Sequence, residues 1–164
     1  MSEALDGWSE FNVAMVGATA ALAGLLIVAM SVNIGEIMKS STLPPRAAAS
    51  IATLVLAIVA GAFGLMPGQG DVAYGIEVIV GAAIASVFQV HAMRVIARDD
   101  PSSRFDRIGK SIAGMLPIAG FLLGGALIVA GSAAAGLIAV AVGSVLAVVV
   151  AILMAWVVLV EVLR

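Results

Sequence analysis

GGALIVAGSAAAGLIAV, residues 124–140, lies inside an apolar run from Ser111 to Leu163 that carries no charge before Glu161. A membrane helix needs about 20 apolar residues, because the hydrocarbon layer is about 30 Å thick and a helix rises 1.5 Å per residue. The run is far too long for one crossing. It must turn back on itself, and the small-residue stretch GSAAAG at 131–136 is where it does so. Two spans result, at about 112–130 and 137–158.

Working toward the N-terminus, three further apolar runs fit a bilayer, at about 13–32, 47–66 and 76–95. The proline pair in SSTLPPRA separates the first two and suits a fresh helix start near Pro45, and PGQGD breaks the second from the third. RDDPSSRFDRIGK, residues 98–110, is the one charged stretch of any length. Asp100 before Pro101 reads as a cap and first helical residue, which predicts a short interfacial helix over 101–110. The expected fold is therefore all-α: a single polytopic bundle over 1–164 with five transmembrane helices.

Composition agrees. The chain is 63% hydrophobic and 11% charged, with a mean hydropathy of +1.21, whereas a soluble domain carries roughly 25% charged residues. A net charge of −2 gives no footing for nucleic acid or an acidic substrate. The absence of cysteine excludes disulfides, thiolate chemistry and cysteine-ligated metal sites, and no cofactor is expected. MSEALDGWSE lacks the basic region of a secretory signal, so the first run is expected to stay in the mature protein.

The basic residues orient the spans. Lys39 and Arg46 follow span one; Arg94, Arg98, Arg104, Arg107 and Lys110 lie at or after the end of span three; Arg164 closes the sequence. With five spans and the N-terminus outside, all eight fall in the cytoplasm, as the positive-inside rule requires. Trp8 and Tyr74 then mark the outer interface and Trp156 the inner one. Arg104, Arg107 and Lys110 recur every third residue, which predicts a stripe on anionic lipid headgroups; Arg94 reaches the same boundary and snorkels to it.

Lipid tails are as apolar as leucine, so helices associate in a bilayer through close backbone contact, which needs small residues. Gly17, Gly24 and Ser31 repeat at seven-residue spacing on span one, Gly124 and Gly131 on span four, and Gly136 and Gly143 on span five; Gly120 and Gly124 form a GxxxG pattern. Packing inside one bundle and a subunit interface both fit these stripes.

Polar residues inside spans are candidates for function. In ASVFQVHAMRVIARDD, residues 85–100, Gln89 and His91 lie about 20 and 22 Å from the outer start of span three, past the midplane but within hydrocarbon. On a helix they point about 160° apart, so they cannot share one narrow stripe. Thr19, Ser31, Asn33, Ser86, Gln89 and His91 are the candidate pathway-lining residues, with Glu77 at the outer mouth; interhelical hydrogen bonding is the plainer role for Gln89 and His91, and an ordinary interfacial carboxylate the plainer one for Glu77. No carboxylate sits mid-span and no TVGYG-like filter is present. His91 and Ser144 differ by roughly 10 Å in depth, against about 3 Å for a working nucleophile and base. No enzymatic activity is expected.

W8-S-E-F-N-V-A-M-V-G-A, L43-P-P-R-A, M66-P-G-Q, G75-I-E-V and the ending A155-W-V-V-L-V-E-V-L-R resemble a family of small bacterial integral membrane proteins, some of them labelled modulators of the FtsH protease. The match spans most of the chain, and its motifs are structural. It implies a multi-pass protein of the bacterial cytoplasmic membrane. Two functions stand as expectations: a homo-oligomeric passive channel or pore for an ion or small solute, and a regulatory or assembly subunit packing against another membrane protein.

Overall fold

The computed structural model describes residues 3–99 and 103–161. A short α1 (Glu3–Asp6) precedes α2 (Ser9–Val32), a single-turn α3 (Ile34–Ile37), α4 (Leu43–Gly64), α5 (Asp71–Asp99), α6 (Arg104–Val129) and α7 (Ala133–Trp156). The last continues as a wider π-helical turn, Val157–Glu161. Five of these, α2 and α4 to α7, are long and apolar enough to cross a membrane. The chain is an all-α, multi-pass membrane protein.

Local chemistry sets the boundaries. At the start of α4 the hydroxyl of Ser40 accepts from the backbone N–H groups of Thr42 and Leu43 at 3.4 and 3.3 Å. The prolines follow in the first turn, where a missing N–H costs nothing. The fold-back lies where the small residues put it, and its geometry is specific. Gly131 adopts φ +88°, the N–H of Ser132 donates to Leu127 O at 2.8 Å, and that of Gly131 to Ile128 O at 3.0 Å. This pair of bonds is a Schellman closure, which satisfies the last carbonyls of α6 and needs a residue without a Cβ. Gly131 is thus a turn residue rather than the helix-packing residue its seven-residue spacing suggested.

The charged stretch folds differently from expectation. Asp100 and Pro101 lie outside the described residues, and 104–110 do not form a separate interfacial helix. They are the first two turns of α6, which runs unbroken to Val129. Its cap is Ser103, whose hydroxyl accepts from Asp106 N–H at 3.2 Å and donates to the Asp106 carboxylate at 2.7 Å. Serine at the cap with a carboxylate three residues on competes well with an Asp-Pro start, because it satisfies an otherwise orphaned N–H.

Around the bundle, α4 packs against α2, α5 and α7, α6 against α5 and α7, and α7 closes the ring on α2. α4 is the most covered helix, with 56% of its apolar window buried, and α2 the least, at 22%. One layer of the core joins Leu56, Ala57 and Ala60 of α4 to Val78, Ala82 and Ala85 of α5, Ile118 and Phe121 of α6, and Val140 and Ala147 of α7. Tyr74 belongs to this layer at 1% exposure. It is a core residue, not part of an aromatic belt, because its ring fills the space beside Gly64. A second layer, with Leu26, Ala29, Ile37, Ala47, Met154 and Val158, lies where α2 and α7 end and α4 begins. The Asn33 amide fixes that corner by donating to Val158 O at 3.3 Å.

Small residues explain how near the helices come. Built onto Gly124, a Cβ would lie 2.7 Å from Gly136 O; on Gly136, 2.6 Å from Gly124 O; on Gly120, 2.9 Å from Gly143 Cα. Gly75 of α5 and Gly125 of α6 approach in the same way, each Cβ position 3.0 or 2.8 Å from the other's carbonyl oxygen. The α6–α7 hairpin and its contact with α5 are therefore backbone-to-backbone, the mode of association that lipid leaves available.

Candidate functional site

The start of α4, the end of α5, the start of α6 and the end of α7 meet at one end of the bundle, and between them lies a cavity of about 280 Å³. Its mouth carries Arg46 and Lys110. Ser50, Thr53 and Gln89 lie deeper, and Ile96, Val150, Leu153, Met154 and Val157 supply apolar wall. Among the described residues no acidic side chain lines it. By helical rise its floor, at Thr53, Gln89 and Gly114, is about 15 Å along the helices from that end. Farther in, Ala57, Ala85, Ile118, Phe121 and Ala147 fill the interior.

Glycines make the room. The Gln89 amide lies against the Cα of Gly114, where a Cβ would collide with both of its heteroatoms, and Gly109 leaves the wall open nearby. The α5 face that turns inward, Val78, Ala82, Ala85, Gln89, Ala92 and Ile96, has the 3–4 spacing of a packed helix and carries Gln89 in with it.

That same periodicity turns His91 outward. It is exposed on α5, on the surface shared with Ile84 and Phe88, themselves 59% and 45% exposed. The other candidate pathway residues disperse too. Thr19 is fully buried but its hydroxyl donates to Met15 O of its own helix at 2.6 Å. Ser86 donates to Ala82 O at 2.7 Å, and Asn33 ties α2 to α7 at the bundle end. Ser31 is exposed on the far side of α2, donating to Ile27 O at 2.9 Å. Of the six, Gln89 alone reaches the cavity; they do not line a single route through one chain. Glu77, half-buried near the opposite end, accepts from the Gln69 amide.

The basic stripe divides. Lys110 turns into the cavity. Arg104 and Arg107 line a separate groove between α5 and α6, walled by Met93, Ile108, Ile112 and Met115, where Arg107 also donates to Ala97 O at 3.2 Å. Arg94 is exposed. Three-residue spacing drifts by about 60° per step on a helix, enough to carry Lys110 from one surface to the next.

The glycine stripes also part ways. Gly120, Gly124, Gly136 and Gly143 are consumed inside the hairpin, whereas Gly17 and Gly24 have nothing within 4 Å of a Cβ and lie exposed with Ser31. The buried side of α2 is a different heptad series, Asn12, Thr19, Leu26 and Asn33. Asn12 was not legible as a buried residue: it packs against Gly64, and its Nδ2 has no partner. Seven-residue spacing of polar groups along α2 was the available signal.

Among the described residues no cluster of three or more His, Asp or Glu side chains is placed to hold a metal ion. Comparison of the chain with family models, with curated proteins and with solved structures finds no match.

Proposed function

We propose that the protein is a non-enzymatic subunit of the bacterial cytoplasmic membrane, N-terminus outside, that works by packing against membrane-embedded partners, a second copy of itself foremost. The observation that carries this reading is the uncovered stripe of α2. Gly17, Gly24 and Ser31 repeat the pattern that holds α6 to α7, yet among the described residues nothing covers them. Close-approach residues facing lipid gain nothing there, whereas against another helix they allow backbone contact. Short connections leave little surface outside the bilayer for a soluble partner. Regulation or assembly of a larger membrane complex, such as a membrane protease, fits that arrangement.

The positive-inside rule supports the orientation, because Arg46, Arg94, Arg98, Arg104, Arg107 and Lys110 all belong to the bundle end that bears the cavity. Association is tested with Gly24→Leu. The substitution meets open space and improves helix propensity, so the single chain's own stability should stay within about 0.5 kcal/mol of the parent's, apart from what association adds. Native mass spectrometry should find the parent as an oligomer and the variant as a monomer; a monomeric parent in both detergent and bilayer discs overturns the reading.

A second reading, a passive pore, is favoured by the cavity, which opens a polar path part of the way from the basic end. It requires the apolar layer at Ile118 and Phe121 to part. Solute flux into liposomes by the parent oligomer supports the pore; an electrically silent, impermeable oligomer supports the packing subunit.

A further inference from the structure

Five hydroxyls in the long helices, those of Thr19, Ser31, Thr53, Ser86 and Ser144, each donate to the carbonyl four residues back, at 2.6 to 3.0 Å. This is the usual refuge of a serine or threonine in an apolar helix. Ser50 departs from it. It is 94% buried by its 6% exposure, its Oγ has no hydrogen-bond partner, and it lines the cavity at the basic end. An unpaired buried hydroxyl costs stability, and Ser50 stands at the cavity wall, so turning its hydroxyl toward a ligand there would complete it.

The surroundings define the ligand's charge. Arg46 lies one turn from Ser50 toward the mouth, Lys110 faces it from α6, and the Gln89 amide is spread over Gly114 at the floor. Arg46 and Lys110 each have an interaction of their own, and a ligand would add to those contacts. Donors outnumber acceptors: a guanidinium and an ammonium offer only N–H groups, and the hydroxyl and amide each offer at least one more. Among the described residues no carboxylate lines the wall to repel it, so an anion gains from every one of these groups, and the surrounding apolar wall strengthens each interaction.

We propose that this cavity is a binding site for an oxyanion of the phosphate class, with Arg46 and Lys110 drawing it in and Ser50 and Gln89 donating to it inside. Its oxygens accept several donors at once, and Arg46 suits them through its planar fork. The site opens at the end of the bundle that the positive-inside rule assigns to the cytoplasm, so the phosphate arrives either free from that side or as the headgroup of an anionic lipid of the adjoining leaflet.

The test uses the full-length protein with two probes. Inorganic phosphate is titrated against protein in a neutral detergent, and phosphatidylglycerol is added in steps to phosphatidylcholine bilayer discs carrying the protein. Each is read by native mass spectrometry and thermal shift, with chloride and a neutral lipid as controls. The site predicts one saturable ligand per chain in at least one arm. Saturation by inorganic phosphate identifies a free anion, and saturation by phosphatidylglycerol alone identifies a headgroup.

Ser50→Ala should weaken binding at least threefold without lowering the melting temperature of the ligand-free protein, since the hydroxyl makes no contact to lose. Arg46→Gln should weaken it at least tenfold, and Lys110→Gln provides the same comparison if Arg46→Gln fails to fold. The proposal is overturned if neither probe binds saturably, or if binding is unchanged in Ser50→Ala and in the folded cation variant. It is equally overturned if Ser50→Ala melts at a lower temperature while binding is unaltered.

Discussion

The α6–α7 hairpin and helix α2 carry the same sequence device and use it in opposite ways. In the hairpin, Gly124 and Gly136 bring two backbones so near that a Cβ on either would sit within 2.7 Å of a carbonyl oxygen. In α2, Gly17 and Gly24 meet nothing, and the helix keeps only 22% of its apolar window buried. A glycine stripe therefore marks capacity for close approach and does not say which helix approaches. Connectivity decides the hairpin: a tight turn at Gly131 holds two antiparallel stripes face to face. α2 turns its other heptad series, Asn12, Thr19, Leu26 and Asn33, to the bundle, which leaves its glycines on the outer surface.

The largest expected effect lies in the hairpin. Gly124→Leu places atoms into the Gly136 backbone and Val140, and overpacking against backbone with no space to yield costs about 3 kcal/mol or more. A thermal melt in detergent should show that variant unfolding well below the parent, while the same substitution at Gly24 loses only what the subunit contact adds. Equal losses at the two positions would mean that α2 is packed within the chain after all. A smaller effect is expected at the turn. Gly131→Ala forces a Cβ into φ +88°, a conformation that costs an L-residue roughly 1–2 kcal/mol. Its melt should fall by that amount with the oligomer retained, because the turn holds the hairpin and not the subunit contact.

The spans were legible in the sequence because bilayer thickness imposes a length that apolar runs meet or miss, and the reversal near 131–136 followed from that arithmetic. Helix faces were harder to read. Where every residue is apolar, periodicity does not separate a lipid-facing surface from a buried one, since lipid and core accept the same side chains. His91 illustrates this: its place along the helix was readable, but its face is set by where Ala82, Ala85 and Ala92 pack. Gln89 was singled out by its polarity, yet its role at a cavity floor depends on Gly114, Ser50 and Lys110 from three different helices. Such convergence is written in tertiary packing, and no local pattern carries it. The misplaced start of α6 has a simpler cause, as Ser103 caps it together with Asp106.

The most direct test of the α2 assignment is cross-linking in the membrane, made simple by a chain without cysteine. Single cysteines at Gly17, Gly24 and Ser31 are compared with cysteines at Ile84 of α5 and Ile138 of α7, both exposed on other faces. An interface along the α2 stripe predicts covalent dimers at the first three positions, with a seven-residue rhythm along the helix, and monomers at the other two. Dimers at Ile84 and Ile138 with none along α2, or no dimer at any of the five, would contradict it.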